Sequence, residues 1–274
     1  MVDASPPNSE DTYSQGHAES VVRSHRWRTA ENSAGYLLPE LRAGLDVLDI
    51  GCGPGTITAD LARLVAPGQV LGIDPSESVL EQARETASAA GRDNVRFDTG
   101  DVYALDADPG TYDVVHAHQV LLHLKDPVAA LREMLRVVRP GGVVAARDTD
   151  YGGMVWWPSD PRLDRWLEIY RAVMHDSGGE PDAGRRLLAW ARAAGATDVT
   201  PGASTWCHAS PDERAWWGGM WADRIVDSRI AERALTAGHA TRAELEDISA
   251  AWRAWSQHPD GWFLVPHGEV LCRK

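Results

Sequence analysis

A chain of 274 residues with 43% hydrophobic and 24% charged residues has ordinary globular usage, long enough for a full core in one or two domains. The net charge of −13 argues against a nucleic-acid partner, because an acidic surface repels phosphate backbones. Cys52, Cys207 and Cys272 are too few and too scattered for a disulfide framework or a zinc site, and no metal is expected. No apolar run reaches the length of a membrane span, and residues 1–20 lack the basic start and apolar centre of a signal peptide, so a soluble cytoplasmic chain is expected.

Residues 1–19 read as a polar arm, and 20–42 as a helix pair or a helix with a loop, broken at Pro39. Leu45 to Ile50 is a short β run that ends in glycines. Thr56 to Ala66 is helical, with Ile57, Leu61, Leu64 and Val65 on one face, and stops at Pro67-Gly68. Val70 to Ile73 is a second strand, Glu77 to Ala90 a helix, Val95 to Phe97 a third strand and Tyr112 to Ala117 a fourth. Asp126-Pro127 opens a helix as cap and first-turn proline, ended by Pro140-Gly141-Gly142, and Val143 to Ala146 is a fifth strand. Strands and helices that alternate in this way predict a parallel sheet covered on both faces.

After Tyr151 the rhythm changes. Leu163, Trp166, Leu167, Tyr170 and Met174 share a helical face, and Pro181 to Ala194 is another helix. Thr197 to Trp206 and Trp262 to Leu271 read as sixth and seventh strands, with helices between them. There Thr241 and Glu244 form a capping box. Eleven of the 12 tryptophans follow residue 155, against 2 phenylalanines in the whole chain. The partition is an arm with lid helices (1–42), a cofactor-binding α/β core (43–150) and completion of the sheet with a Trp-rich helical cap (151–274).

Asp49-Ile50-Gly51-Cys52-Gly53-Pro54-Gly55-Thr56 sits between the first strand and first helix, where open α/β sheets bind ligands. The third glycine comes one residue too early for the dinucleotide fingerprint, and Pro54 removes a donor that a pyrophosphate needs. The loop therefore suits an adenosyl-amino-acid ligand better. Asp74, ending the second strand, can accept both hydroxyls of a ribose. Asp101, just past the third strand, can accept an adenine amine, with Val102 against the ring.

These segments carry a family resemblance. VLDIGCGPG (47–55), GIDPS (72–76), the GDV step (100–102), HQVLLHLKDP (118–127) and LREMLRVVRPGG (131–142) resemble the class I S-adenosylmethionine-dependent methyltransferases, in the ubiquinone/menaquinone-type branch of small-molecule enzymes. The resemblance is strong over about residues 30–150. It implies a Rossmann-like, seven-stranded, mostly parallel α/β sheet whose last strand runs antiparallel, here with a helical cap, and S-adenosyl-L-methionine as cofactor. By position, Gly51, Gly53 and Gly55 would line its methionine part, supported by Asp49. Asp74 with Pro75 would hold the ribose, and Asp101 with Val102 the adenine. His118 stands where the branch often has Asn.

Methyl transfer needs a base only if the acceptor must lose a proton. His118, Asp148 and Tyr151, at the ends of the fourth and fifth strands, are the catalytic candidates. His116 reads as packed core. Arg23, His25, Arg26 and Arg28 are either a solvated helix face or a lid that meets the cofactor carboxylate or an anionic acceptor. Trp156, Trp216, Trp217 and Trp221 are expected to wall a pocket for an apolar, aromatic or cationic small molecule. The leading expectation is a methyltransferase, monomeric or homodimeric, with no nucleic-acid or membrane partner. A non-methylating reaction on the same fold, such as a cyclisation, and a non-catalytic cofactor-binding subunit are its rivals.

Overall fold

The computed structural model describes residues 27–274, and the calls on the arm and on Arg23, His25 and Arg26 fall outside them. The first described helix, α1 (Ala30–Ser33), is a single turn, followed by a 3-10 turn at Leu38–Glu40 that contains Pro39. The regular part runs β1 (Val47–Ile50), α2 (Thr56–Val65), β2 (Val70–Asp74), α3 (Glu77–Ala89), β3 (Val95–Thr99), β4 (Tyr112–His118), α4 (Pro127–Val137) and β5 (Val138–Thr149). Next come β6 (Val155–Trp157), α5 (Pro161–Asp176), α6 (Leu187–Ala193), β7 (Asp198–His208), α7 (Pro211–Arg224), α8 (Arg229–Thr236), α9 (Arg242–Gln257) and β8 (Trp262–Arg273).

One mixed sheet runs β3-β2-β1-β4-β5-β8, with β7 along one edge of β8 and the short β6 along the other. The first five strands are parallel, and β8 is antiparallel to β5 and to β7. Seven strands match the expectation, and β6 adds an eighth of three residues, too short to show as a pattern. The sheet is covered on both faces because its strands alternate. Val47, Val114 and Ala145 join Ile57 and Leu61 of α2, whereas Leu48, Val115 and Val144 join Leu131 and Met134 of α4. The chain moves from β1 outward to β3 and then crosses back to β4, so the strand order switches between β1 and β4, where a crevice opens at the carboxyl ends.

Several boundaries differ from the sequence reading by a residue or more, and three of the differences change an element. Helix α4 ends at Val137, before the Pro140-Gly141-Gly142 stop, because Val138 already pairs with Tyr112 as the start of a 12-residue β5. At its far end β5 extends to Thr149, paired with His267 of β8. The expected helix from Pro181 splits into a 3-10 turn (Ala183–Arg186) and α6.

The cap has its own apolar core. Trp166 of α5, Trp221 of α7 and Trp252 of α9 are fully buried and meet edge-on or stacked, with ring centroids 4.5 to 6.2 Å apart. The Thr241–Glu244 capping box forms, as does a second at Ser210–Glu213 that opens α7. No helix among the described residues is long and apolar enough to cross a membrane.

Candidate functional site

The loop after β1 is built from three glycines at φ of +64° (Gly51), +54° (Gly53) and +77° (Gly55). Their orientations separate their roles. A Cβ on Gly51 would meet Val120 Cγ2 at 2.5 Å, so Gly51 lets the loop pass the segment after β4. A Cβ on Gly55 would meet Ala83 and Phe97 at 2.9 to 3.1 Å. The Cα–H face of Gly55 on which a Cβ would sit is thus packed against α3 and β3. The loop is pinned by Cys52 N–H donating to Ile73 O (3.0 Å) and Gly53 N–H to Asp74 Oδ2 (3.2 Å).

Asp74 is half-buried, and its Oδ1 accepts Ser76 N–H at 3.0 Å. Its two oxygens thus lie between the glycine loop and the start of α3, as a ribose-binding carboxylate requires, and Pro75 follows on the surface. Half-buried Asp101 accepts Tyr103 N–H at 2.9 Å. Val102 is buried with Ile73 and Leu105. Asp74 pairs in register with Thr99, so the Asp74 and Asp101 regions share one sheet edge. Loop, Asp74 and Asp101 therefore fit the adenosyl ligand.

Asp49 does not face that edge. It is buried, accepts Thr58 Oγ1–H at 2.6 Å and pairs with His116 Nδ1 at 2.7 Å. It ties α2 to β4. The sequence reading made His116 mere packing and missed this partner.

Beyond the ends of β4 and β5 lies a partly open cavity. Gln119, Thr149 and Tyr151 line it from the sheet side. Trp206 of β7 and Trp216, Trp217 and Trp221 of α7 wall it, while Met154, Met220 and Val265 fill in apolar surface. Three of the four expected wall tryptophans are present. Trp156 is the exception: it stacks on Phe263 (5.5 Å, 8°) and packs into the cap core, because β6 turns it toward β8 rather than toward the cavity.

Arg28 and Arg224 also line this cavity, and no carboxylate does among the described residues. Arg28 Nη2 donates to Gln119 Oε1 at 2.6 Å, and its guanidinium lies 5.7 Å from the Trp206 ring centre. Arg28, expected on a solvated face or on a lid that meets the cofactor carboxylate or an anionic acceptor, thus lies in the lining of this cavity.

Gln119 was missed altogether. It is the one non-glycine residue with positive φ (+54°) among the described residues. Its amide nitrogen donates to Thr149 Oγ1 (2.6 Å) and lies 3.0 Å from His267 Nε2. One side chain thus joins β4, β5, β8 and Arg28. A non-glycine residue in the left-handed region persists only where its surroundings over-determine it, and such residues cluster at functional sites.

The catalytic candidates divide. His118 is buried beside Trp206 (5.8 Å) and His267 (6.3 Å), and neither ring nitrogen has a hydrogen-bond partner among the described residues. Burial, with Arg28 and Arg147 nearby, holds it well below the ordinary imidazole range, so it is neutral and a poor base. Asp148 is fully buried and turned toward the 3-10 turn Leu121–His123, where Oδ1 faces Leu122 N–H at 3.4 Å. Burial pushes its carboxyl up to about 8, which leaves it mostly protonated at neutral pH. Neither His118 nor Asp148 is among the cavity's lining groups. Tyr151 is, with its ring stacked on Tyr170 at 4.2 Å.

Behind Trp206, Arg147 is buried, pairs with Glu269 (3.2 Å), and its Nε–H donates to Ser204 Oγ at 3.0 Å. Its guanidinium is 4.9 Å from the Trp206 ring centre, and burial lowers it to about 10.

Comparison with known proteins gives a consistent picture. A family model described as "Methyltransferase domain" matches residues 41–195. The chain is 33% identical to an uncharacterised methyltransferase of Schizosaccharomyces pombe over 98% of its own length and 99% of the relative's. It is 35% identical to a demethylmenaquinone methyltransferase of Lactococcus lactis over 46% of this chain and 48% of that one. Among solved structures, a phosphoethanolamine N-methyltransferase of Haemonchus contortus, in complex with phosphomonomethylethanolamine and S-adenosylhomocysteine, superposes with a TM-score of 0.54 at 17% identity, covering 85% of this chain and 49% of that one.

Proposed function

The chain belongs to the class I S-adenosylmethionine-dependent methyltransferases, and from that premise we propose that its acceptor is a small molecule with an apolar or aromatic body, held in the tryptophan-walled cavity. The observation that carries this reading is the position of the cavity. It lies beyond the ends of β4 and β5, beside the crevice over the glycine loop, and is walled by the cap.

The bound cofactor supplies an electrophilic methyl group on a sulfonium. The protein's part is placement and exclusion of water. Asp74 accepts from the ribose while it keeps the Gly53 N–H that shapes the loop. Asp101 holds the adenine end, and Gly53 allows close approach of the backbone. His118 is neutral, with both ring nitrogens unpartnered among the described residues. It acts near the methionine part as a hydrogen-bonding group, not as a base. Trp216, Trp217 and Trp221 press a flat acceptor against the sheet edge, where Gln119, Thr149 and Tyr151 orient it. If the acceptor must lose a proton, Tyr151 is the titratable group that lines the cavity from the end of β5.

The test is in two parts. Asp74→Ala should weaken S-adenosylhomocysteine binding by on the order of 1–3 kcal/mol in calorimetry, and equal affinity would remove the ribose assignment. Trp216→Leu, Trp217→Leu and Trp221→Leu should each raise the KM for the acceptor with little change in that for the cofactor. Three unchanged acceptor KM values would make these side chains ordinary core.

A further inference from the structure

The hydrogen bonds of Gln119 fix which way its amide faces, and with that what it can offer a ligand. On the reading that this cavity is the acceptor site, we propose that the Gln119 carbonyl oxygen takes a hydrogen bond from the group to be methylated, so that the methyl acceptor is a hydroxyl or amino compound.

Gln119 is the first residue past β4 and lines the cavity. Its neighbour Val120 lies so close to the glycine loop that a Cβ on Gly51 would meet Val120 Cγ2 at 2.5 Å. Its own N–H donates to Arg147 O of β5 at 2.8 Å. Gln119 therefore stands where the cavity meets the glycine loop.

Arg28 sets the orientation of the amide. A guanidinium has donors only, and Arg28 Nη2 lies 2.6 Å from one end of the Gln119 amide. That end must be the oxygen, since the reverse placement would set two donors against each other. The amide nitrogen then faces Thr149 Oγ1 at 2.6 Å and His267 Nε2 at 3.0 Å, and these two acceptors use both of its hydrogens. His267 can accept at Nε2 only when it is neutral with its hydrogen on Nδ1. The ring is 1% exposed, and burial, with Arg147 and Arg28 nearby, holds it well below the ordinary imidazole range, so it stays neutral.

One lone pair on the oxygen remains. A carbonyl oxygen has two, and this one receives Arg28 alone among the described residues. Gln119, half-buried at the cavity floor, can thus accept from a ligand and has no hydrogen left to donate. A hydroxyl or an amine supplies the hydrogen it lacks. A carbonyl, ether or thioether would set lone pair against lone pair, and an aromatic carbon would leave the oxygen unpaired. In the transfer, the lone pair of the hydroxyl oxygen or amine nitrogen forms the bond to the methyl carbon, and the carbon–sulfur pair returns to sulfur. The proton leaves to solvent through the open side of the cavity.

The experiment titrates the full chain, with S-adenosylhomocysteine present, with 4-ethylphenol, 4-ethylaniline and 1-ethyl-4-fluorobenzene, which share one shape and differ in the donor. Ligand-observed NMR should give the phenol and the aniline an affinity about fivefold or more above that of the fluoro probe, as one neutral hydrogen bond provides. Gln119→Met should abolish that preference without weakening the fluoro probe, and Gln119→Glu, which keeps an accepting oxygen in place, should retain it. As a check that leaves Gln119 unchanged, nitrogen NMR of the histidine-labelled chain should show the His267 ring with its hydrogen on Nδ1 and Nε2 bare. Equal affinities of the three probes, a preference that survives Gln119→Met, or a hydrogen on His267 Nε2 would overturn the proposal. The acceptor-site reading would survive any of these results if Trp217→Leu still weakened all three probes. If no probe binds, or Trp217→Leu changes nothing, the acceptor-site reading falls and this proposal falls with it.

Discussion

The side-chain amide of Gln119 sits 2.6 Å from Thr149 Oγ1 and so ties the carboxyl end of β4 to that of β5 at the floor of the cavity. The same amide receives Arg28 and approaches His267, and its backbone is held at a φ of +54°. The left-handed backbone costs a non-glycine residue about 1 kcal/mol.

This arrangement separates two properties by mutation. Gln119→Ala loses the side-chain links and keeps the strain, whereas Gln119→Gly loses the links and relieves it. Denaturant unfolding should find Gln119→Gly more stable than Gln119→Ala by about 1 kcal/mol. Both variants should bind acceptor more weakly than the parent chain. Equal stability of the two would show that the backbone is not strained there.

The buried Asp49–His116 pair should be a large stability element. Asp49→Ala strands His116 Nδ1 and the Thr58 hydroxyl in the core. Breaking such a pair typically costs about 3–5 kcal/mol. Urea titration should show a loss of this size, and the glycine loop above should bind cofactor less well as α2 loosens. A loss below about 1 kcal/mol would place the pair in the class of weak surface contacts.

Asp148 predicts an unusual dependence on pH. Its folded pKa, about 8, lies above the unfolded value, so the folded chain binds the extra proton. The resulting stability is full below about pH 4 and is lost as the pH rises through that window to about 8. Asp148→Asn, neutral throughout, should lack this component. The parent chain should therefore lose thermal stability relative to Asp148→Asn between about pH 5 and about pH 8. Parallel profiles would mean that Asp148 is ionised in the folded protein.

The glycines of the loop should respond differently. Gly55→Ala forces a Cβ against Ala83 and Phe97 at a positive φ, so it should lower stability by more than about 1 kcal/mol. Gly53→Val carries positive-φ strain as well, and should in addition abolish cofactor affinity, which Gly55→Ala should largely keep. The check is a melting curve and an S-adenosylhomocysteine titration for each. Identical behaviour of the two variants would remove the division of roles.

What could be read from the sequence follows from how local each signal is. The glycine loop, Asp74 and Asp101 were legible because each lies within a few residues of a strand end in a regular β-α alternation. The sixth and seventh strands were legible for the same reason. Asp49 could be assigned as a support, but its partner His116 is 67 residues away. Gln119 gave no sign, since a left-handed backbone at a glutamine is imposed by Thr149, His267 and Arg28 and not by its neighbours in the chain. Arg224 and Met220 were hidden because α7 has apolar or aromatic residues on much of its surface, and periodicity alone does not show which face meets the cavity. Trp156 was misassigned because a three-residue strand leaves no pattern from which to tell its inward side.

The account's central claim is that the cofactor groove and the tryptophan-walled cavity are two halves of one active site. A crystal structure with S-adenosylmethionine bound tests it most directly. The account predicts the ribose on Asp74 and the sulfonium methyl at the mouth of the cavity, next to Gln119 and in line with the space between Tyr151 and Trp217. A methyl group that points away from this cavity, or a cofactor bound anywhere other than the Gly51–Gly55 loop, would contradict it.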